Sequence, residues 1–165
     1  MQRRRIIRFL IIFLLILVTS WLFLNYLKYN VKYYQLFRDH RELFETVKDG
    51  VESIDDSKLE YTYENWGVFL YNASYQYHVE VTQTLQDNIG QIKVSSKGAL
   101  SKLSYNESDG EKLLTFVFDW EGVNGDTYHI VYCKSGKVVE RHYRDKDVEY
   151  DLIKLDDDWY GTRIR

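Results

Sequence analysis

The sequence predicts an α+β fold in which an N-terminal transmembrane helix and an amphipathic stalk helix precede a curved antiparallel β-meander that approaches a barrel. Three observations indicate this class. A long apolar run lies near the N-terminus, apolar residues at helical spacing follow it, and from residue 56 onward apolar residues alternate along segments separated by short turns. These changes of period divide the chain into a basic tail at 1–8, a signal anchor at 9–27, an amphipathic helix at 28–55 and a β domain at 56–165.

The apolar run at 9–27 is long enough to cross a membrane, because a helix rises about 1.5 Å per residue and the hydrocarbon core is about 30 Å thick. Four arginines and no acidic residue occur in residues 1–27: Arg3, Arg4, Arg5 and Arg8. This charge predicts a cytoplasmic N-terminus and an extracytoplasmic remainder. A signal peptide cleaved after Ser20 is the alternative. We favour a retained anchor, because apolar residues continue from Trp21 to Leu24. The mature protein should then begin at Met1 or Gln2.

An amphipathic helix is predicted at 28–55, where apolar residues recur at alternating spacings of four and three and charged residues cover the other face. The apolar face comprises Tyr33, Leu36, Phe37, His40, Leu43, Phe44, Val47, Val51 and Ile54. We expect this face to pack on the protein's own sheet. A short coiled coil between two anchored chains is the alternative, and the few heptads available support it only weakly.

Strands are predicted wherever apolar residues alternate between turn signals spaced roughly 8–12 residues apart. They are Leu59–Tyr63, Gly67–Asn72, Tyr75–Thr84, Ile89–Ser96, Ala99–Tyr105, Lys112–Glu121, Thr127–Cys133, Lys137–Tyr143, Val148–Leu155 and Trp159–Ile164. No connection between them is long enough for a crossover helix, which favours antiparallel neighbours in a meander.

The dipeptide Asn124-Gly125 predicts a two-residue type I′ hairpin turn, which requires positive φ at both central positions. The cross-strand pairs would then be Trp120 with His129, Phe118 with Val131, and Phe116 with Cys133. In this register the six residues share one buried face. We therefore expect Cys133, the sole cysteine, to be a core residue and not a reactive thiol.

One group of residues is a candidate for a pH-sensitive or metal-binding site: His129, His142 and Glu140. A two-residue turn at Ser135-Gly136 would place the two histidines opposite each other, on the same sheet face as the carboxylate. A three-residue loop is equally compatible and would pair His129 with Arg141 instead. The favoured interpretation is a histidine at the edge of the core, stacked near Trp120.

An aromatic cluster is the candidate interaction face, because tyrosine and tryptophan are enriched at recognition surfaces. It comprises Tyr61, Tyr63, Trp66, Tyr71, Tyr75 and Tyr77. Ordinary sheet packing predicts the same enrichment and is the more economical explanation.

Several function classes lack support in the sequence. The part beyond Leu27 has 18 basic and 25 acidic residues, a net charge of −7, which argues against a nucleic-acid partner. We find no G-x-S-x-G, H-E-x-x-H, C-x-x-C or P-loop motif, and the acidic run at 156–158 lacks the spacing of a calcium loop. We therefore expect no enzymatic activity, no cofactor and no bound metal.

The resulting expectation is a single-span, non-catalytic module that binds a protein partner of unidentified nature, or scaffolds an envelope or secretion assembly, outside the cytoplasm. The alternative is an anchored sensor or inhibitor domain that binds a small ligand, wall fragment or peptide in the curved sheet. A pocket between sheet and helix would favour the alternative, whereas a solid core would favour the protein partner. The sequence does not indicate an oligomeric state.

Overall fold

The computed structural model of the protein describes residues 11–22, 34–54, 68–72, 76–77, 80–119, 127–146 and 148–165. The chain divides into two compact units, one ending at Gln35 and the other comprising Leu36–Arg165. In the first unit, residues 11–22 form helix α1, and every side chain of that helix is exposed. Within the described ranges, no helix combines the length and apolar character needed to span a bilayer.

Residues 34–39 are helical, and three longer helices follow: α2 (Arg41–Glu52), α3 (Gln83–Ser95) and α4 (Gly136–Arg144). The strands are β1 (Val68–Asn72), β2 (Gln76–Tyr77), β3 (Leu100–Ser108), β4 (Glu111–Phe118), β5 (Thr127–Tyr132), β6 (Tyr150–Asp156) and β7 (Trp159–Ile164). The described strands form one sheet in the order β2-β1-β3-β4-β5-β7-β6, with every neighbouring pair antiparallel.

The predicted α+β class with an antiparallel sheet is confirmed, but the predicted simple meander is wrong. β3, β4 and β5 are consecutive neighbours, whereas β3 also pairs with β1 and β5 also pairs with β7. In both places where the chain passes over a neighbouring position in the sheet, a helix lies in the connection. It is α3 between β2 and β3, and α4 between β5 and β6. Among the described strands, β2 and β6 are the edges of an open sheet, so the sheet does not close as a barrel.

Helix α3 occupies a segment for which strands were predicted. Thr82 caps its N-terminus, with the side-chain oxygen accepting a hydrogen bond from the Leu85 backbone N–H at 3.3 Å. Leu85, Ile89 and Ile92 lie four and three residues apart and are buried, as one face of a helix requires. The predicted strand at 89–96 is therefore wrong. Of the strand predicted at 75–84, the described residues 76–77 form β2, whereas 83–84 belong to α3.

Helix α4 replaces the strand predicted at 137–143. Its buried residues are Val138, Val139 and Tyr143, and two adjacent residues can both face the sheet only on a helix. The helix approaches the sheet closely at Gly136, where an added Cβ atom would lie 2.9 Å from the Tyr160 hydroxyl. The Ser135-Gly136 pair thus begins a helix and does not form a hairpin turn.

Helix α2 packs on one face of the sheet. The Phe44 ring lies 4.9 Å from the Phe116 ring and 5.9 Å from the Trp159 ring, centroid to centroid. Trp159 Nε1–H also donates a hydrogen bond to Glu45 Oε1 at 2.8 Å. A turn at His40 separates α2 from the helical residues 34–39, so the helix predicted at 28–55 is interrupted there. Its remaining ends, 28–33 and 55, lie outside the described residues.

The register of β4 and β5 differs from the predicted one by three residues. Phe118 pairs with Tyr128, Phe116 with Ile130, and Val117 with His129. Because successive side chains alternate between faces, an odd shift moves His129 to the face opposite Phe116 and Phe118. The predicted shared face is therefore wrong, and Trp120, Asn124 and Gly125 lie outside the described residues.

Cys133 is nevertheless buried, as predicted, although for another reason. It belongs to a core cluster under α4 whose other members are Leu113, Val131, Val138, Val139, Tyr143 and Tyr160. The sheet therefore has two covered faces, with α2 on one and α4 on the other. The face under α4 carries the candidate site.

Candidate functional site

Helix α4 covers only part of its sheet face. A helix is about 10–12 Å wide and strands are about 4.8 Å apart, so one helix shields roughly two to three strands. The core cluster beneath α4 draws on β4, β5 and β7, and partly buried Tyr150 and Leu152 of β6 pack against it. Among the described residues, β3 and the neighbouring part of β4 have no helix above them on this face. The result is a cavity beside the C-terminal end of α4.

The cavity has a volume of about 360 Å³ and opens to solvent on one side. Its floor is formed by the sheet residues Lys102, Ser104, Asn106, Thr115, Val117 and His129. Its wall is formed by residues of α4 and the chain that follows it, together with one residue of β7: His142, Tyr143, Lys146, Val148 and Ile164.

The floor of the cavity is polar although it is buried. Ser104, Asn106 and Thr115 are each at most 7% exposed. They share a face because Ser104 pairs with Thr115 and because residues 104 and 106 are two apart on β3. The Asn106 Oδ1 atom has no hydrogen-bond partner among the described residues. Burying such a group costs about 1–3 kcal/mol, which a ligand with a hydrogen-bond donor could offset.

A hydrogen bond joins the sheet to the helix at the base of the cavity. His129 Nδ1 lies 2.7 Å from the Tyr143 hydroxyl oxygen. Burial raises the pKa of Tyr143, and the nearby Thr162 and Thr115 side chains only partly oppose this effect. The phenol therefore keeps its proton, and the tautomer of the neutral His129 imidazole determines which of the two groups donates.

Both cavity histidines are neutral at pH 7. Burial lowers the pKa of His129 to about 3, and the charges of Lys146, Lys102 and His142 act in the same direction. Burial also lowers the pKa of His142 to about 4, with a further contribution from Lys146 that Asp145 partly opposes. Neither imidazole therefore has a pKa near 7, where an acid–base catalyst is most effective.

Two lysines supply positive charge to the same cavity. Burial lowers the pKa of Lys102, and the nearby Asp119 carboxylate partly opposes the shift. Burial also lowers the pKa of Lys146, and the charge of Lys102 adds to this effect. Lys146 Nζ lies 5.9 Å from the centre of the Tyr143 ring. No carboxylate lines the cavity among the residues that the structure describes.

The predicted histidine pair is brought together, but not across a hairpin. His129 lies on β5 and His142 on α4, and both rings are close to the Tyr143 ring, at 5.6 and 5.3 Å between centroids. Glu140 is exposed and does not line the cavity, and its backbone oxygen accepts a hydrogen bond from the Tyr150 hydroxyl. In the described part of the chain, no three His, Cys, Asp or Glu side chains are close enough to hold a metal ion.

Sequence reasoning did not identify Lys102, Asn106 or Lys146 as site residues. A signal for two of them was present on β3, where polar Lys102, Ser104 and Asn106 alternate with the apolar Leu103 and Tyr105. That alternation marks one polar face of a strand, although a solvated face has the same pattern. Lys146 reaches the cavity because of the position of α4, and no local sequence pattern indicated that it would do so.

The predicted aromatic interaction face is described only in part. Tyr71 is 7% exposed, and Lys93 Nζ of α3 lies 5.7 Å from the centre of its ring. It is therefore part of the packed interior. Tyr77 lies on β2, where it pairs with Tyr71 in register. The other four members lie outside the described residues: Tyr61, Tyr63, Trp66 and Tyr75.

Cys133 is separate from the cavity. Its Sγ atom lies 3.4 Å from the Ser135 carbonyl oxygen, within the core cluster beneath the start of α4. Burial raises the pKa of the thiol. A buried thiol with a raised pKa is a poor nucleophile.

Comparisons with known proteins found no match to a family model, to a curated protein or to a solved structure.

Proposed function

We propose that the protein is a membrane-anchored, non-catalytic domain that binds a small ligand outside the cytoplasm, in the cavity between the sheet and the C-terminal end of α4. The observation that carries this proposal is the cavity itself. It lies between sheet and helix, where the rest of the same face is filled by a packed core.

The size and lining of the cavity favour a small ligand over a protein partner. Small-molecule sites have volumes of about 300–1,000 Å³ and combine apolar walls with a few convergent polar groups. The cavity lies at the lower end of this range, with apolar contacts from Val117, Val148 and Ile164 beside the polar floor. Binding of a protein through the aromatic face has less support, since Tyr71 is buried under α3.

The chemistry of the cavity favours binding without catalysis. A general base needs a pKa near the working pH, and a nucleophile needs an activating base. His129 and His142 have pKa values of about 3 and 4, and burial raises the pKa of Tyr143. These groups are suited to hold a neutral hydrogen-bond network in place.

The anchor and its orientation are part of the proposal and follow from the N-terminal sequence. Every side chain of α1 is exposed, including ten large apolar ones, and extensive apolar exposure usually marks a surface that meets lipid or another protein. The apolar run continues on both sides of α1, from residue 9 to 27, with arginines at its N-terminal end. A single span with a cytoplasmic N-terminus accounts for these features.

A binding screen on the full-length protein in detergent micelles tests the ligand site. The screen would measure chemical-shift changes of the backbone amides on addition of small carboxylic acids, sugars, sugar acids and short peptides. We expect at least one compound to shift amides of the cavity residues, for example Ser104, Thr115 and Tyr143. Replacing Val117 by Trp should abolish this binding because the indole ring would fill the cavity.

Val94→Trp is the matched control, since Val94 is 78% exposed on α3 and does not line the cavity. It should bind the same compound as tightly as the wild type. Two outcomes would contradict the proposal: no compound in the screen shifts the cavity amides, or Val117→Trp binds as tightly as Val94→Trp.

A further inference from the structure

We infer that the ligand of this cavity is a small neutral polyol of monosaccharide size, whose hydroxyl groups form hydrogen bonds with Ser104, Asn106 and Thr115. This inference rests on the proposed ligand-binding function and names the chemical class of the ligand. It is drawn from a row of buried polar side chains on the floor of the cavity.

Ser104, Asn106 and Thr115 form this polar row across two strands of the cavity floor. Ser104 and Thr115 are direct cross-strand partners on β3 and β4, and the Cβ atoms of such partners are about 4.5–5.5 Å apart. Asn106 follows Ser104 by two residues on the same face of β3, a distance of about 7 Å. The three side chains are therefore close enough together to contact one small molecule.

The polar row is buried without the hydrogen bonds that burial normally requires. Asn106 is 7% exposed and Thr115 is 5% exposed. Among the described residues, neither Asn106 Oδ1 nor Thr115 Oγ1 has a hydrogen-bond partner. Most buried polar side chains in proteins do have a partner, so two exceptions in one cavity require an explanation. A ligand that forms these hydrogen bonds explains why polar side chains occupy positions where apolar ones would make the fold more stable.

The chemistry of the polar row matches the hydroxyl groups of a ligand. Serine and threonine hydroxyls and the asparagine amide can each donate and accept hydrogen bonds, as a ligand hydroxyl can. A carboxylate only accepts and would leave Asn106 Oδ1 without a donor, whereas an ammonium group only donates. The terminal torsion of asparagine is broad, so the Asn106 amide can turn towards the ligand at little cost.

The rest of the lining fits the carbon skeleton of such a molecule. A volume of about 360 Å³ is far larger than the roughly 30 Å³ that one water molecule occupies, so the cavity can hold a molecule with a six-membered ring. Val117, Val148 and Ile164 supply apolar surface for the C–H groups of that ring. A few polar groups beside an apolar wall are the usual composition of a small-molecule site.

The test compares polyols with a ring that lacks hydroxyl groups, on the full-length protein in micelles of a phosphocholine detergent, which carries no sugar. The polyols are methyl glucoside, methyl galactoside and inositol, and the comparison compound is tetrahydropyran. Dissociation constants would be measured by NMR titration of the cavity amides for the wild type, Thr115→Val and Asn106→Leu.

Thr162→Val is the matched control for Thr115→Val. Thr162 is fully buried, and its Oγ1 atom also has no hydrogen-bond partner among the described residues, yet Thr162 does not line the cavity. Both threonines lie near the Tyr143 side chain and affect its pKa in the same direction. The two variants therefore make the same chemical change inside and outside the proposed site.

We expect at least one polyol to bind, and tetrahydropyran to bind at least about tenfold more weakly because it lacks several hydrogen-bonding groups. Thr115→Val and Asn106→Leu should each weaken binding of that polyol about three- to tenfold, as loss of a neutral hydrogen bond does. Thr162→Val should leave the dissociation constant unchanged.

Urea denaturation separates an effect on binding from an effect on folding. Thr115→Val and Thr162→Val each replace a buried hydroxyl that has no partner in the described part of the chain. Neither variant should therefore lower the urea midpoint of the ligand-free protein, although only Thr115→Val should bind the polyol more weakly.

Three outcomes would overturn the inference. If no polyol binds while another compound of the broader screen shifts the cavity amides, the ligand class is wrong although the site is right. If tetrahydropyran binds as tightly as the polyols, the cavity does not recognise hydroxyl groups, and the proposed function stands alone. If Thr162→Val weakens binding as much as Thr115→Val, or if Thr115→Val alone lowers the urea midpoint, the Thr115 hydroxyl supports the fold and does not bind the ligand.

Discussion

The hydrogen bond between His129 and Tyr143 makes the stability of the fold sensitive to acid. Protonation of the imidazole leaves neither ring nitrogen able to accept a hydrogen bond and places a charge beside Lys102 and Lys146. The pKa of His129 is about 3 in the folded protein and about 6.5 when the chain is unfolded. The unfolded chain therefore takes up the proton first as the pH falls. The contribution of the neutral imidazole is complete above pH 6.5 and is lost from there towards pH 3.

We predict that His129 alone causes a loss of about 2 kcal/mol in the free energy of unfolding between pH 7.5 and pH 5. In His129→Gln the amide oxygen can still accept from Tyr143 but does not titrate in this range. The variant should therefore lose about 2 kcal/mol less than the wild type over the same interval, while the effect of His142 remains in both proteins. Urea denaturation of the full-length proteins at the two pH values measures the difference. Parallel pH dependences would mean that His129 is protonated as easily in the folded protein as in the unfolded chain.

At the scale of an element, the attachment of α2 depends on one aromatic side chain. Phe44 is fully buried and contacts Phe37, Phe116 and Trp159. We predict that Phe44→Ala lowers the free energy of unfolding by about 3–5 kcal/mol, the usual cost of removing a buried aromatic ring. Thr46→Ala, on the exposed side of the same helix, should change it by less than about 0.5 kcal/mol. Tryptophan fluorescence during urea denaturation measures the free energy of unfolding of both variants. Equally small losses in the two variants would mean that Phe44 does not attach α2 to the sheet.

The sequence allowed the helical face of α2 and most strands to be predicted, because their apolar periods extend over several turns or alternations. It failed for α3, where Ile92 and Val94 alternate with polar residues as in a strand. In a strand, Ile92 and Val94 would lie on the same face and be buried together. On a helix the two side chains point about 200° apart, and accordingly Ile92 is buried whereas Val94 is exposed. Thr82, which caps this helix, was the overlooked local signal.

The candidate site could be predicted only in part, because it depends on where α4 lies. His129 and His142 do line one cavity, but they were predicted to meet through a hairpin that the structure replaces with α4. Ser135-Gly136 has the composition of a turn, and in a segment of nine residues the helical and strand periods are easily confused. Lys146 enters the cavity from beyond the end of that helix, so no local pattern in β3 or β5 could have placed it beside Lys102.

For the whole molecule, the chain divides into a unit that ends at Gln35 and a unit from Leu36 onward. We propose that the first holds the protein at a membrane and that the second binds a ligand. Besides the cavity, the second unit contains two packed regions. These are the aromatic cluster under α2 and the core cluster under the first turns of α4. The cavity lies beside the second cluster, with Tyr143 belonging to both.

The most direct test of this account is to locate a bound ligand. Full-length protein with protonated valine and isoleucine methyl groups in deuterated micelles would be mixed with the compound of the binding screen that has the highest affinity. We expect intermolecular NOEs from protons of this ligand to the methyl groups of Val117, Val148 and Ile164, which line the cavity. NOEs to Ile89 and Ile92 of α3 instead, or to none of the cavity methyl groups while the ligand binds, would contradict it.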